Sequence, residues 1–272
     1  MENNYNYNDI KEAYEKIGVT KGMTISLKTD LRFLGPYSSN LQNDLLEAHF
    51  NILADLVDLS KGTIVVTTAC TSLCNTNTIF DIKKTPSEMG SLTEYIRNQS
   101  GAIRSFHPFN SYTAIGKHAD YICTNNSRHC YGNNTPTARL LELDGTQLSI
   151  GLHPIETTSI SDHVEMVMGV PYRYVKEFIH PVIREDKVVY EPFYMNLRYL
   201  ELLDKGEAVK SLSTKVFPNF YKFGHRVQEE SLGRGKIYLF SMNEFFSSTI
   251  QLFTNDLYAC LTSEPSIKPY QK

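Results

Sequence analysis

MTISLK (Met23–Lys28), LQNDLLEAHFNILADLVDL (Leu41–Leu59) and GTIVVTTAC (Gly62–Cys70) follow one another along the chain, and their order decides the fold class. The first and third are short apolar runs rich in β-branched residues. Gly35-Pro36 turns the chain after the first, and Lys61-Gly62 turns it before the third. Such runs read as buried strands. The middle segment sets Leu45, Leu46, His49, Leu53 and Leu56 at helical spacing. Strand, helix, strand is the unit from which parallel sheets are built. His49 sits among apolar neighbours, so a core or edge histidine with its hydrogen bonds satisfied is expected there.

The pattern extends in both directions. Upstream, Asp9–Ile17 reads as a helix capped by Asn8 and ended by Gly18, with Ile10, Ala13, Tyr14 and Ile17 on one face. Downstream, Thr146–Leu152 and Gly235–Met242 are strong strands, and Ser111–Ile115 and Ala119–Cys123 are shorter ones. Helices are expected from Thr85-Pro86, where Glu88 completes a capping box, from Thr135-Pro136, and over Ser161–Met168, Asn196–Lys205 and Glu244–Leu261. VIREDKVVYEPF (182–193) reads as a two-stranded ribbon turning at Glu185-Asp186-Lys187. The sum is an α/β fold, one domain over residues 1–272: a mixed central sheet flanked by helices, with an inserted segment around 170–230.

Length and charge narrow the function. The 272 residues suffice for a sizeable core, and 41% are hydrophobic. The net charge of −3 is spread along the chain. No basic run exceeds a dipeptide such as Lys83-Lys84, so nucleic acid has no electrostatic footprint here. The N-terminus lacks an apolar signal core, and no run of about 18 apolar residues occurs. A cytoplasmic protein without a membrane segment is expected. The five cysteines are odd in number and scattered, which points to reduced thiols. Cys70 and Cys74 lack zinc-site spacing and a second pair, the histidines show no ligand spacing, and no metal is expected. G-x-S-x-G, P-loop, G-x-G-x-x-G and H-E-x-x-H motifs are all missing.

Polar chemistry collects between Lys84 and Arg173. Arg104, Ser105, His107, Asn110 and Ser111 crowd a segment interrupted by Pro108. It is either a hydrogen-bonded surface loop or a loop that wraps a ligand. Thr157, Thr158, Ser159 and Ser161 place hydroxyls at a helix start, and Asp162, His163 and Glu165 follow at once. They are either capping residues with an exposed histidine, or a histidine oriented by carboxylates for proton abstraction.

Four segments, taken in register, resemble one family. TPSEMGSLTEYIR (85–97), GAIRSFHPFNSYTAIGKHAD (101–120), His129 with YGNNTPTARLLELDG (131–145), and TTSISDHVEMVMGVPYR (157–173) are similar in order and spacing to the aminoglycoside 3-N-acetyltransferases, over roughly residues 15–180. The resemblance implies a fold distinct from the common GNAT acetyltransferases. It implies transfer of an acetyl group from acetyl-CoA, as co-substrate, to an amine on a sugar. It maps the helix histidine and glutamate of the family onto His163 and Glu165. The family spaces that pair three apart, however; here they are two apart and Asp162 holds the minus-three position, so either His163 or Asp162 is the base. The Arg-Ser-x-His-Pro-x-x-Ser motif falls on Arg104, Ser105, His107, Pro108 and Ser111, implied to hold the cofactor together with Thr71. A His-Ser-Ser-Leu motif of the family corresponds here to Lys28-Thr29-Asp30-Leu31. Lys28 and Thr29 are left to hold phosphate or pantetheine, and Asp30 is expected to point elsewhere. Glu156 and His129 are the expected contacts to the acceptor.

The acceptor that the resemblance implies is an aminoglycoside or another amino sugar, free or nucleotide-linked. VPYRYVKEF (170–178) is similar to family members that modify amino sugars of surface polysaccharides. The altered 28–30 and 162–165 motifs keep a second function open, a CoA- or sugar-binding protein without turnover. A Cys or Ser hydrolase has little support. Self-association as a homo-oligomer is left open.

Overall fold

The sheet is built around β1 (Thr24–Thr29), as the opening strand–helix–strand order predicts. The computed structural model describes residues 4–38, 44–207 and 212–271. β1 pairs in parallel with β2 (Thr63–Thr67) on one side and β5 (Thr146–Ile150) on the other. Antiparallel strands flank these three: β4 (Tyr112–Gly116) and β3 (Ile103–Arg104) beyond β2, β9 (Gly235–Ser241) and β8 (Gln228–Leu232) beyond β5. The order is β3-β4-β2-β1-β5-β9-β8.

Period-two alternation divides the sheet into two faces. Ile25, Leu27, Ile64, Val66, Leu148 and Ile150 bury one face under α1 (Tyr7–Ile17), α2 (Asp44–Val57) and α3 (Ser91–Arg97). Here His49 is fully buried, and its Nδ1 is bonded to the Tyr14 hydroxyl. Val65, Tyr112, Ala114 and Phe240 bury the opposite face under α4 (Ala119–Cys123), α5 (Pro136–Glu142), α7 (Ile160–Val167) and α10 (Met242–Phe253). Lys28 belongs to this second face.

The inserted segment is a hairpin of two twelve-residue strands, β6 (Arg173–Arg184) and β7 (Lys187–Arg198). Glu185 and Asp186 both take positive φ, the backbone a two-residue hairpin turn needs. Phe178, Val182 and Phe193 dock the hairpin on Phe80 and Phe109 in a third cluster. A short helix α6 (Pro154–Thr157) precedes α7, and short helices α8 (Leu200–Asp204) and α9 (Phe217–Lys222) follow the hairpin. Among the described residues no helix is long and apolar enough to cross a membrane.

Several boundaries differ from expectation, each for a local reason. Ala119–Cys123 is helix, because Ala119, Ile122 and Cys123 turn one face into the core. The helix expected from Thr85-Pro86 begins at Ser91. Glu88 instead accepts from the backbone N–H of Ser72, 3.3 Å away, and Thr85 accepts from the Asp81 N–H. The first helix starts two residues early, with Asn6 and Asp9 forming its capping box. Pairing with residues 173–175 of β6 keeps residues 196–198 in β7, so the helix expected there shrinks to α8. α10 stops at Phe253, well short of Leu261. Positions 41–43 of the long helix lie outside the described residues. All five cysteines are free thiols.

Candidate active site

The carboxyl ends of the parallel strands converge on Lys28. In open α/β sheets this is where ligands bind, because the strands stop there and their loops diverge. Lys28 Nζ donates to the Thr67 Oγ1 of β2 at 2.6 Å and lies 6.0 Å from the centre of the Tyr112 ring of β4. Burial pushes its pKa down from 10.5 to about 8, although the Asp162 carboxylate pulls the other way. Tyr112 is itself buried, and its hydroxyl meets Thr137 at 3.1 Å. The neighbouring loops are held tightly together. A Cβ at Gly151, whose φ is +74°, would lie 2.2 Å from the Asp30 carbonyl oxygen, so only glycine permits this approach. Against expectation, Asp30 lines the larger cleft of the site beside its partner: its carboxylate accepts from the Arg32 backbone N–H at 3.1 Å and pairs with the Arg32 guanidinium.

α7 presents its three candidates in different directions. Asp162 faces Lys28 and pairs with Arg173 of β6. Glu165 is fully buried, pairs with the same guanidinium, and accepts from the Tyr172 hydroxyl at 3.0 Å; Arg198 lies 3.9 Å from its other side. Residues two apart on a helix diverge by about 200°. His163 accordingly turns to Gly132, Phe246 and Tyr131, and its Nδ1 accepts from the Gly132 backbone N–H at 3.3 Å. An accepting Nδ1 puts the neutral ring's proton on Nε2. Burial lowers the His163 pKa to about 4.

The Arg-Ser-x-His-Pro motif is built into the scaffold of the site. Arg104 donates to Ser111 Oγ, to the carbonyls of Thr68, Ile82 and Thr85, and to Cys70 Sγ. Its fork ties the long excursion after β2 back to β3 and β4. Ser111 donates to the Thr68 carbonyl, and Ser105 Oγ accepts from the Tyr112 N–H at 2.8 Å. His107 Nδ1 accepts from the N–H groups of Phe109 and Asn110, and its ring packs on Phe193 of the hairpin. Burial holds its pKa near 4. Thr71 is exposed on a short 3-10 turn.

Two clefts open at the carboxyl ends of β1 and β5. One, of about 440 Å³, lies between Thr29–Arg32, the loop Glu88–Ser91 and Leu152. The other, of about 320 Å³, is lined by Glu156, Thr157, Ser159 and Asp162 on one side and by Leu212 and Ser213 on the other. Thr29 of the first cleft is Lys28's chain neighbour, and Asp162 of the second acts on its charge. Among the described residues, His129 does not line either cleft; it stacks on Tyr194 at 4.6 Å. The structure therefore places Thr29 in one cleft and Glu156 and Asp162 in the other, with Lys28 lining neither. It sets Arg104, Ser105, His107 and Ser111 behind them, with His163 and Glu165 turned away from the clefts.

The sequence profile of the family described as aminoglycoside 3-N-acetyltransferase matches residues 46–254. The chain belongs to that family. Aminoglycoside N(3)-acetyltransferase VII of Streptomyces paromomycinus is 28% identical over 106 residues, 39% of this chain. The chain spans only 36–40% of the length of the curated relatives it matches. The crystal structure of aminoglycoside acetyltransferase AAC(3)-Xa superposes with a TM-score of 0.79 at 21% identity, covering 93% of this chain and 94% of that one. AAC-IIIb in its binary complex with CoASH gives 0.75 at 17% identity, covering 96% and 100%. These likenesses show that the family member has the mixed α/β fold of the acetyltransferases.

Thr67, Tyr112 and Arg173 were not singled out from the sequence. Thr67 and Tyr112 share a sheet face with Lys28 through the pairing of β2 with β4, which the chain order does not disclose. Arg173 closes the similar stretch 157–173. Its signal was two carboxylates, Asp162 and Glu165, set i, i+3 on one helix face with no cation on that helix.

Proposed function

We propose that the protein transfers an acetyl group from acetyl-CoA to an amine of an amino sugar, an aminoglycoside or a nucleotide-linked sugar. The observation that carries this reading is the pair of clefts at the carboxyl end of the sheet, one bordered by Thr29 and Leu152 and the other by Glu156 and Asp162. The larger, bounded by Thr29 and the loop Glu88–Ser91, suits the pantetheine arm. The smaller, with Glu156 and Asp162 on its wall, suits a cationic amino sugar. Both volumes are in the range of small-molecule sites. Family membership and the CoASH named with AAC-IIIb support the donor. The names of the curated relatives support an aminoglycoside-type acceptor.

The acceptor nitrogen attacks the thioester carbon, a C–N bond forms and the C–S bond breaks. The nitrogen loses a proton, and the thiolate gains one to leave as CoASH. Asp162 attracts the acceptor's ammonium groups, and Glu156 at the mouth adds to that field. His163 is a weak candidate for the base: its Nδ1 is occupied by Gly132, and a pKa near 4 gives little proton affinity. Arg104, Ser105, His107 and Ser111 serve by fixing the backbone that frames the cofactor cleft.

The test is thiol release from acetyl-CoA against a panel of aminoglycosides and nucleotide-linked amino sugars. Acceptor-dependent release establishes the transferase, and the active class names the acceptor. A second reading, a CoA- or sugar-binding protein without turnover, is favoured by one observation: Arg173 occupies both Asp162 and Glu165. Tight CoA binding with no release across the panel would establish it.

A further inference from the structure

The charge a cleft leaves uncompensated limits how many ammonium groups it can receive. Two carboxylates line the smaller cleft, Asp162 and Glu156. Asp162 already pairs with Arg173, whose guanidinium also holds Glu165, and Arg198 stands 3.9 Å from the other side of Glu165. Two carboxylates thus face two guanidiniums, and their charges sum to zero. The network is largely shielded from water: the Arg173 side chain is 9% exposed and that of Asp162 19%. Lys28, whose ammonium the Asp162 carboxylate favours, adds positive charge from the sheet below. Glu156 remains. It is exposed at the mouth, and among the described residues it forms no ion pair. His153 beside it has its pKa lowered by burial and is uncharged at neutral pH. The rest of the polar wall is hydroxyl, from Thr157, Thr158, Ser159 and Ser213.

The larger cleft repeats the pattern. Asp30 is paired with Arg32, and Glu88, bonded to Ser72, is the carboxylate left over. The sequence 208–211, which leads into the Leu212 wall of the smaller cleft, is Ala-Val-Lys-Ser and contains no carboxylate. Whichever cleft takes the acceptor, one carboxylate there lacks a cation.

Resting on the transferase reading above, we propose that the acceptor is an amino sugar bearing a single amine, and that polycationic aminoglycosides are poor acceptors. A polycation carries several ammonium groups out of water, and each needs a partner of opposite charge. With one carboxylate, the first ammonium is matched and the others meet a balanced or positive wall. A ring with one amine brings one charge, and its hydroxyls match those of Thr157, Ser159 and Ser213. The site then discriminates through the partners it withholds as much as through those it supplies.

Thiol release from acetyl-CoA is to be measured with D-glucosamine, with a nucleoside-diphosphate-linked 4-amino sugar, and with kanamycin and neomycin. One of the mono-amine sugars is expected to exceed both polycations in kcat/KM by at least about tenfold. Which of the two it is separates a free from a nucleotide-linked source. Its kcat/KM should fall less than about threefold between about 50 and 300 mM NaCl, because few charges are there to be screened. Ser213→Asp adds a carboxylate at an exposed position on the wall of the smaller cleft. It should raise kcat/KM for kanamycin about tenfold and change that of the mono-amine sugar less than about threefold. A polycation equal to or better than both sugars overturns the proposal and leaves the transferase standing. So does a steeper salt dependence, and so does a Ser213→Asp variant without effect on kanamycin, since the acceptor then does not bind where the charges were counted. No release with any acceptor sinks the transferase reading instead, and this substrate class with it.

Discussion

Arg173→Met removes the cation that holds α7 to the hairpin. Arg173 pairs through one nitrogen with Asp162 and Glu165, and through the other it donates to the Asn196 carbonyl at 2.8 Å. Its side chain is 9% exposed and that of Glu165 is 0% exposed. A surface pair would be worth about 0–1 kcal/mol. Removing one partner of a buried pair strands the other charge and costs about 3–5 kcal/mol. Arg198, 3.9 Å from Glu165, and the Tyr172 hydroxyl soften the loss without replacing a fork shared by two carboxylates. In a chain of this size that loss lowers Tm by about 6–20 °C. The assay is equilibrium urea unfolding followed by circular dichroism and tyrosine emission, since the chain has 17 tyrosines and no tryptophan. Glu165→Gln placed in the Arg173→Met background removes the stranded charge and should recover at least half of the loss. A single-variant cost below about 1 kcal/mol, or a double variant no better than the single, would refute the buried-pair argument.

Three further outcomes are expected. Asp162→Asn should raise the acceptor KM about tenfold or more with acetyl-CoA affinity unchanged, whereas His163→Ala should change kcat less than about tenfold; steady-state kinetics with one acceptor decide between them, and a crippled His163→Ala would restore the histidine as base. Acid should destabilise the fold before its carboxylates titrate: burial lowers the His49 pKa from 6.5 to about 3, so the unfolded chain binds the extra proton between those values and stability falls as pH drops through 6.5. His49 alone contributes about 2 kcal/mol of loss by pH 5, and the pH-dependent loss should shrink by that amount in His49→Leu/Tyr14→Phe. Gly151→Ala should push the Asp30 carbonyl from its place and lower both Tm and CoA binding; an unchanged Tm would show that the β1 and β5 loops yield freely.

The sheet's centre was legible because its physics is local. Ile25, Leu27, Ile64, Val66, Leu148 and Ile150 alternate along strands that only burial explains, and the connection between β1 and β2 is long enough to hold the crossover helix a parallel pair needs. β8 was not legible: QEESL is a polar edge strand, held by its ladder to β9 and carrying no apolar alternation. Ala119–Cys123 failed for the opposite reason, since five apolar-rich residues fit either period and only packing chooses. The hairpin turn at Glu185-Asp186 was placed correctly, but the reach of its strands to Arg173 and Arg198 depends on docking through Phe178 and Phe193.

The site divides along the same line. Residue types and order pointed to the segments 28–31, 104–111 and 156–165, and all three border or brace the clefts. What the chain order cannot carry is the direction in which each side chain points. The spacing of Asp162, His163 and Glu165 held that information in part. On a helix, Asp162 and Glu165 share a face and His163 does not, so any cation bridging the two carboxylates takes them out of a histidine dyad. Arg173 is that cation, and it comes from a strand whose register no local pattern fixes. The same reasoning applies to Lys28. A lysine ending a buried strand is ordinary as sequence. Its surroundings appear only when Thr67 and Tyr112, 39 and 84 positions further on, close over it from the neighbouring strands. Chemistry here follows from which face of the sheet a residue occupies, and the face is set by pairing between distant strands.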